Sequence, residues 1–116
     1  MIVVGTKRSA WKLEIARRFG ASEVVAVDDD DPQEAERIRA LTSGRGADVV
    51  IECSGAREAM EKGLAWVATG GVYILVGAAV PVGDVPVAVY ENVVRKNARL
   101  LGVWVSDTSH FLQAIQ

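Results

Sequence analysis

The chain is poor in the residues that build disulfides and metal sites. Its 116 residues include one cysteine, Cys53, and one histidine, His110. A single cysteine excludes a disulfide within the chain, and a structural zinc needs four ligands, mostly Cys and His at short spacings. Residues 28–31 are four consecutive aspartates, but neighbouring side chains point apart, so we interpret them as a solvated loop before a helix. We expect no metal site and no zinc in this chain.

The chain also lacks an excess of charge and any long apolar run. Its formal net charge is −2, which gives no electrostatic basis for binding nucleic acid or an anionic membrane. The apolar runs are strand-sized, far short of the roughly 20 residues that cross a bilayer. Charge follows the first apolar run directly and no cleavage site appears, which is unlike a signal peptide. We expect one cytoplasmic domain over residues 1–116.

What the sequence does contain is a regular alternation of short apolar runs and helical patterns. The runs predict five strands, at residues 2–4, 24–27, 48–52, 72–76 and 99–105. The intervening patterns predict helices at residues 10–19, 32–41, 56–67, 88–96 and 111–116, the last capped by Asp107 or Ser109. Apolar strands that alternate with helices indicate a parallel sheet covered on both faces. The predicted fold class is therefore a three-layer α/β fold with a parallel sheet of about five strands.

The first helix shows the clearest local signals. Trp11, Ile15 and Phe19 follow one another at intervals of four residues, which predicts the buried face of the helix. Ser9 is the predicted N-cap, and Gly20 is the predicted C-terminal stop.

Three stretches in a fixed order resemble the cofactor-binding Rossmann domain of zinc-type medium-chain alcohol dehydrogenases, with threonine and sorbitol dehydrogenases nearest in style. They are residues 19–21 (FGA), 41–55 (LTSGRGADVVIECSG) and 68–77 (ATGGVYILVG). The resemblance covers the whole chain, from the second strand of that domain to the helix after its sixth. It implies that the first strand, its G-x-G-x-x-G loop and the zinc-bearing catalytic domain are missing, so we expect a truncated domain with no catalytic residue and no activity alone.

The resemblance also implies a topology. The strand order of such a domain is 3-2-1-4-5-6, and removal of strand 1 leaves a gap in the sheet. If the gap closes, residues 2–4 pair with residues 49–51, and the five remaining strands run 2-1-3-4-5. Residues 44–46 (GRG) are the nearest glycine-rich candidate, but they precede a strand and lack a third glycine, so we interpret them as a turn.

By the same resemblance, two groups of residues would line a cofactor. A small residue followed by cations, beside the adenosine ribose, suits the 2′-phosphate of NADP better than the hydroxyls of NAD, although a plain solvated turn is the alternative. We expect any NADP or NAD binding to be weak or absent without the pyrophosphate loop. The first group is Gly5, Thr6, Lys7 and Arg8; the second is Cys53, Ser54, Gly55, Gly77 and Ala78.

Cys53 is interpreted as a buried thiol that lines the site. A nucleophilic cysteine needs a base beside it, and His110 lies near the other end of the chain, on a predicted surface helix.

The predicted association state depends on the face of the sheet that the missing first helix of the family's domain would have covered. An open apolar face and the edge strand 99–105 predict a homodimer or higher oligomer, through that edge, that face or an exchanged N-terminal strand. The alternative function is accordingly a non-enzymatic α/β module for oligomerisation or partner binding. A phospho-receiver is excluded, because the first strand ends in Gly5-Thr6-Lys7 where that fold needs acidic residues.

Overall fold

The computed structural model describes residues 1–28, 31–104 and 108–116. The chain divides into two compact units, Met1–Gly44 and Arg45–Gln116. Each unit has its own parallel sheet with helices, so the predicted α/β class with parallel strands is confirmed. Asp29 and Asp30 of the acidic run, Val105 of the last predicted strand and the predicted cap Asp107 lie outside the described residues. No described helix is long and apolar enough to cross a bilayer.

The first unit is a β-α-β arrangement followed by a further helix. Its elements are β1 (Ile2–Thr6), a 3-10 turn (Lys7–Ser9), α1 (Ala10–Arg18), β2 (Glu23–Val27) and α2 (Glu34–Leu41). β1 and β2 are parallel, from Ile2 opposite Glu23 to Thr6 opposite Val27. The carboxyl ends of the two strands therefore lie side by side.

The buried face of α1 differs from the prediction. Leu13 is the buried residue of this helix, and it packs so closely on Gly5 that a Cβ there would lie 3.0 Å from Leu13 Cδ2. Trp11, Ile15 and Phe19 are 64%, 40% and 83% exposed, so the predicted inward line is wrong. Apolar residues lie on two sides of α1. The side that carries Leu13 packs on the sheet of β1 and β2.

The ends of α1 agree with the prediction at one terminus only. Ser9 makes no hydrogen bond as a side-chain cap. Gly20 has a φ of +93°, and its N–H donates to the Arg17 carbonyl at 3.0 Å. A glycine in the left-handed region ends the helix, as expected.

The second unit is a three-stranded parallel sheet in the order β3-β4-β5. Its elements are β3 (Ala47–Glu52), α3 (Arg57–Gly63), a 3-10 turn (Leu64–Trp66), β4 (Val67–Leu75), a π-helical turn (Tyr90–Val94), β5 (Arg99–Gly102) and α4 (Thr108–Ala114). Ser109, the other candidate cap, lies inside α4. Predicted helix 56–67 ends early, because Val67 already pairs with Ala47 and so begins β4. The predicted Gly70-Gly71 turn lies within that strand, where Gly70 has a φ of +77°.

The core of the second unit is built around Tyr73. A cluster of buried side chains comprises Val50, Leu64, Val67 and Tyr73, and Tyr73 is only 2% exposed. Its hydroxyl donates to the Met60 carbonyl at 2.9 Å. Burial raises the pKa of Tyr73 well above its usual range, and the nearby Glu52 carboxylate raises it further, so the phenol stays neutral.

The described strands form two parallel sheets, one in each unit, with the orders β1-β2 and β3-β4-β5. The continuous order 2-1-3-4-5, which requires the gap to close, stays a prediction. The orders β1-β2 and β3-β4-β5 are those expected when strand 1 is removed from 3-2-1-4-5-6.

Candidate functional site

A small open cleft lies at the carboxyl ends of β1 and β2. Its lining, called here the Lys7 cleft, is Thr6, Lys7, Arg8, Val27 and Asp28, around a volume of about 230 Å³. Three of the four predicted residues of the first group therefore come together. Gly5 does not line the cleft: it lies within β1, and its lack of a side chain makes room for Leu13.

The charges of the Lys7 cleft are arranged asymmetrically. Lys7 Nζ forms an ion pair with Asp28 Oδ2, and both side chains are more than half exposed, so the pair contributes little stability. Arg8 is exposed and has no ion-pair partner among the described residues. The cleft thus offers one cation held by a carboxylate and a second one facing solvent.

Asp28 is a cleft residue that the sequence pattern did not assign. In the sequence it is the first of four consecutive aspartates, a pattern that indicates a solvated loop. The register that sets Thr6 opposite Val27 also brings the residue after each strand to the same edge. Because parallel strands end at the same edge of a sheet, the residue that follows β2 could have been predicted to lie beside the residue that follows β1.

The second group of predicted residues meets at the carboxyl ends of β3 and β4. The N–H groups of Val76 and Gly77 both donate to the Glu52 carbonyl, at 3.0 and 2.9 Å. Gly55 has a φ of +71°, and a Cβ on it would lie 2.4 Å from the Gly77 carbonyl oxygen. The turn of residues 52–55, called here the Glu52 turn, is therefore packed backbone to backbone against Gly77. Ala78 follows directly and is exposed.

Glu52 organises this turn, and sequence reasoning had assigned it only to the end of a strand. The residue is 6% exposed. Its Oε1 atom accepts hydrogen bonds from Ser54 N–H at 2.7 Å, from Ser54 Oγ–H at 2.5 Å and from Gly55 N–H at 3.0 Å. The sequence signal was an acidic residue two positions before Ser54 and three before Gly55. Acidic side chains often accept hydrogen bonds from backbone N–H groups that follow them closely in the chain, and such bonds stabilise a turn.

Cys53 is exposed, so the prediction of a buried thiol is wrong. Successive side chains along a strand point to opposite faces, and since Glu52 points inward, Cys53 points outward. His110 lies on α4 and is exposed, as predicted.

Within the described part of the chain, no three His, Cys, Asp or Glu side chains come together in a way that could hold a metal ion.

Comparison with known proteins identifies the family. The sequence profile of the zinc-binding dehydrogenases matches residues 1–116, and the chain belongs to that family. It is 30% identical to 5-exo-hydroxycamphor dehydrogenase of Pseudomonas putida over 98% of this chain and 32% of that protein. It is 33% identical to L-threonine 3-dehydrogenase of Bacillus subtilis over 87% of this chain and 28% of that protein.

A solved structure shows the same relation. An alcohol dehydrogenase from Thermotoga maritima superposes with a TM-score of 0.83 and 37% identity, over 98% of this chain and 31% of that one. The chain thus spans about a third of the length of the proteins it resembles.

Proposed function

We propose that this chain supplies contacts for NAD(P) in a zinc-binding dehydrogenase whose whole activity is the oxidation of an alcohol or polyol. The observation that carries the proposal is that, within each unit taken by itself, predicted cofactor residues lie at the carboxyl ends of strands, where ligands of open α/β sheets bind. By the resemblance, the Lys7 cleft would contact the adenosine ribose and Gly77 with Ala78 would face the nicotinamide. The Glu52 turn, which packs against Gly77, would line the cofactor as well. When bound, the cofactor supplies the hydride acceptor or donor.

The chemistry of the Lys7 cleft supports a 2′-phosphate as one ligand group. Thr6 is small, and Arg8 is an exposed guanidinium that suits a phosphate in planar, bidentate geometry. Lys7 would have to exchange Asp28 for the phosphate, and that exchange is easy because the ion pair is exposed. Asp28 would then oppose the phosphate by repulsion. We therefore propose NADP as the preferred cofactor, with only modest selection against NAD.

A titration with matched variants tests this role. In nicotinamide fluorescence titrations, we expect K7A/R8A to weaken NADPH by about 1–3 kcal/mol, the scale of hydrogen bonds to charged groups. NADH affinity should change little, because NADH lacks the 2′-phosphate. R17A/R18A removes the same charge from the end of α1 and serves as the control. Equal losses for both cofactors would contradict the 2′-phosphate role, and no saturable NADPH binding below roughly 100 μM would contradict cofactor binding by this chain.

We expect the 116-residue chain by itself to oxidise no alcohol, with or without added zinc. Its single cysteine and single histidine leave too few ligands for the zinc that polarises the alcohol oxygen. The assay follows NAD or NADP reduction with simple alcohols and polyols, against a heat-treated control. Turnover above that control by pure protein would refute this expectation.

A role in association is the second candidate, supported by apolar exposure at the carboxyl-terminal end of the chain. Leu101 on β5 is 49% exposed and Trp104 after it is 79% exposed; on α4, Phe111 and Ile115 are 63% and 66% exposed. Large exposed apolar side chains are candidates for an association surface. β5 hydrogen-bonds β4, and its pairing with another strand is a route to an oligomer.

We therefore expect a homodimer or higher oligomer in light scattering at high micromolar concentration. Leu101→Lys should shift the population towards monomer, because a charge on an edge strand opposes pairing. Val80→Lys, in an exposed loop, is the matched control. A monomeric wild-type chain at that concentration would contradict the expectation.

A further inference from the structure

Glu52 presents a problem that the family resemblance does not explain. Its carboxylate is buried, and among the described residues it forms no ion pair. A buried charge is costly unless hydrogen bonds compensate for it. Here the compensation comes entirely from within the turn, through two backbone N–H groups and the Ser54 hydroxyl.

These bonds determine what the turn offers to a ligand. The N–H groups of Ser54 and Gly55 point at Glu52, so they are not free to bind an anion as successive N–H groups in other turns do. The same bonds hold Gly55 in its left-handed conformation, in backbone contact with Gly77. A Cβ on Gly77 would lie 2.6 Å from Glu52 Oε2. The carboxylate therefore lies directly against the backbone of Gly77, just after β4. The cluster therefore carries one negative charge that is stabilised by hydrogen bonds but has no ion-pair partner among the described residues.

We propose that Glu52 is a positioning residue that holds the turn against Gly77, and that its charge biases this cluster towards the oxidised, cationic nicotinamide ring over the neutral reduced ring. The second half of this inference rests on the proposed function, because it needs a cofactor beside the turn. The first half does not, because it concerns the turn in the free protein.

Glu52→Gln tests both halves. Glutamine keeps the size of the side chain but loses the charge and replaces one carboxylate oxygen with an NH₂ donor. We expect the amide protons of Ser54 and Gly55 to exchange with solvent several-fold faster in this variant, because a neutral amide oxygen accepts weaker hydrogen bonds than a carboxylate oxygen does. Glu61→Gln, an exposed position on α3, is the matched control and should leave both amides unchanged.

The ratio of NADP⁺ to NADPH affinity tests the effect of the charge, because a purely structural role of Glu52 would not change this ratio. Measured by calorimetry, the ratio of NADP⁺ to NADPH affinity should fall several-fold in Glu52→Gln and stay constant in Glu61→Gln, because only NADP⁺ carries the ring charge. Glu52→Asp keeps the charge, so it should restore most of the ratio even where the turn is loosened. If the glutamine variant fails to fold, faster exchange of the Ser54 and Gly55 amides in Glu52→Asp tests the positioning role, and a fall in the affinity ratio of this variant would overturn the charge bias, because the charge is kept.

The outcomes separate the two ideas. Unchanged Ser54 and Gly55 amides in Glu52→Gln would overturn the positioning role, whatever the cofactor does. Equal losses of NADP⁺ and NADPH would overturn the charge bias and leave Glu52 as a positioning residue only. If the wild-type chain binds neither cofactor, the proposed function and the charge bias both fail, and the exchange experiment still decides the positioning role.

Discussion

Gly77→Ala is expected to separate the Glu52 turn from the strand end against which it packs, and to lower the free energy of unfolding by about 3 kcal/mol. The added Cβ would lie 2.4 Å from Gly55 N and 2.7 Å from the carbonyl carbon of Cys53. Both are backbone atoms, so no side-chain rotation relieves the contact and one loop must move. Movement would also disturb the hydrogen bonds that compensate the buried Glu52 charge.

Gly102→Ala is the matched control for this substitution. Gly102 lies in β5, and a Cβ there would meet no atom within 4 Å. We expect the control to stay within about 0.5 kcal/mol of wild type in urea unfolding followed by circular dichroism. Similar midpoints for the two variants would show that the backbone contact between Gly55 and Gly77 is not needed for the fold.

Tyr73→Ala should have the largest effect of all, a loss of about 3–5 kcal/mol, as for other large aromatic side chains removed from a core. Tyr73 is 2% exposed and lies among Val50, Leu64 and Val67, so alanine leaves a cavity at the centre of the second unit. Such a loss is comparable to the whole stability of many domains. Urea unfolding of the variant measures it directly.

Two further variants separate packing from hydrogen bonding at this position. Tyr73→Phe keeps the ring and should cost only about 1 kcal/mol, because it removes the bond to the Met60 carbonyl. Tyr90→Ala removes the same type of side chain where it is 66% exposed, and should cost about 0.5 kcal/mol or less. A Tyr73→Ala variant as stable as Tyr90→Ala would refute the packing account.

Local features were predictable from the sequence because their causes are local. Apolar runs between helical patterns were enough to find β1 to β5, since a buried strand must be apolar whatever it pairs with. Gly20 ends α1 because a left-handed residue is needed there, and glycine adopts that conformation without strain. The second predicted cofactor group came from the family resemblance, and its residues lie at the carboxyl ends of β3 and β4. The buried face of α1 was predicted wrongly: the line of Trp11, Ile15 and Phe19 is apolar, but Leu13 is the residue that the helix buries.

The sequence by itself determined the α/β class, the order of the elements and the family, because these depend on patterns along the chain. Only the tertiary structure decided which line of α1 is buried, that the strands form two sheets, and that Asp28 joins Lys7. It also decided that Glu52 holds the turn at Gly55 against Gly77. The physical reason is that each of these depends on residues far apart in the chain, whose distance is set by strand register and backbone packing.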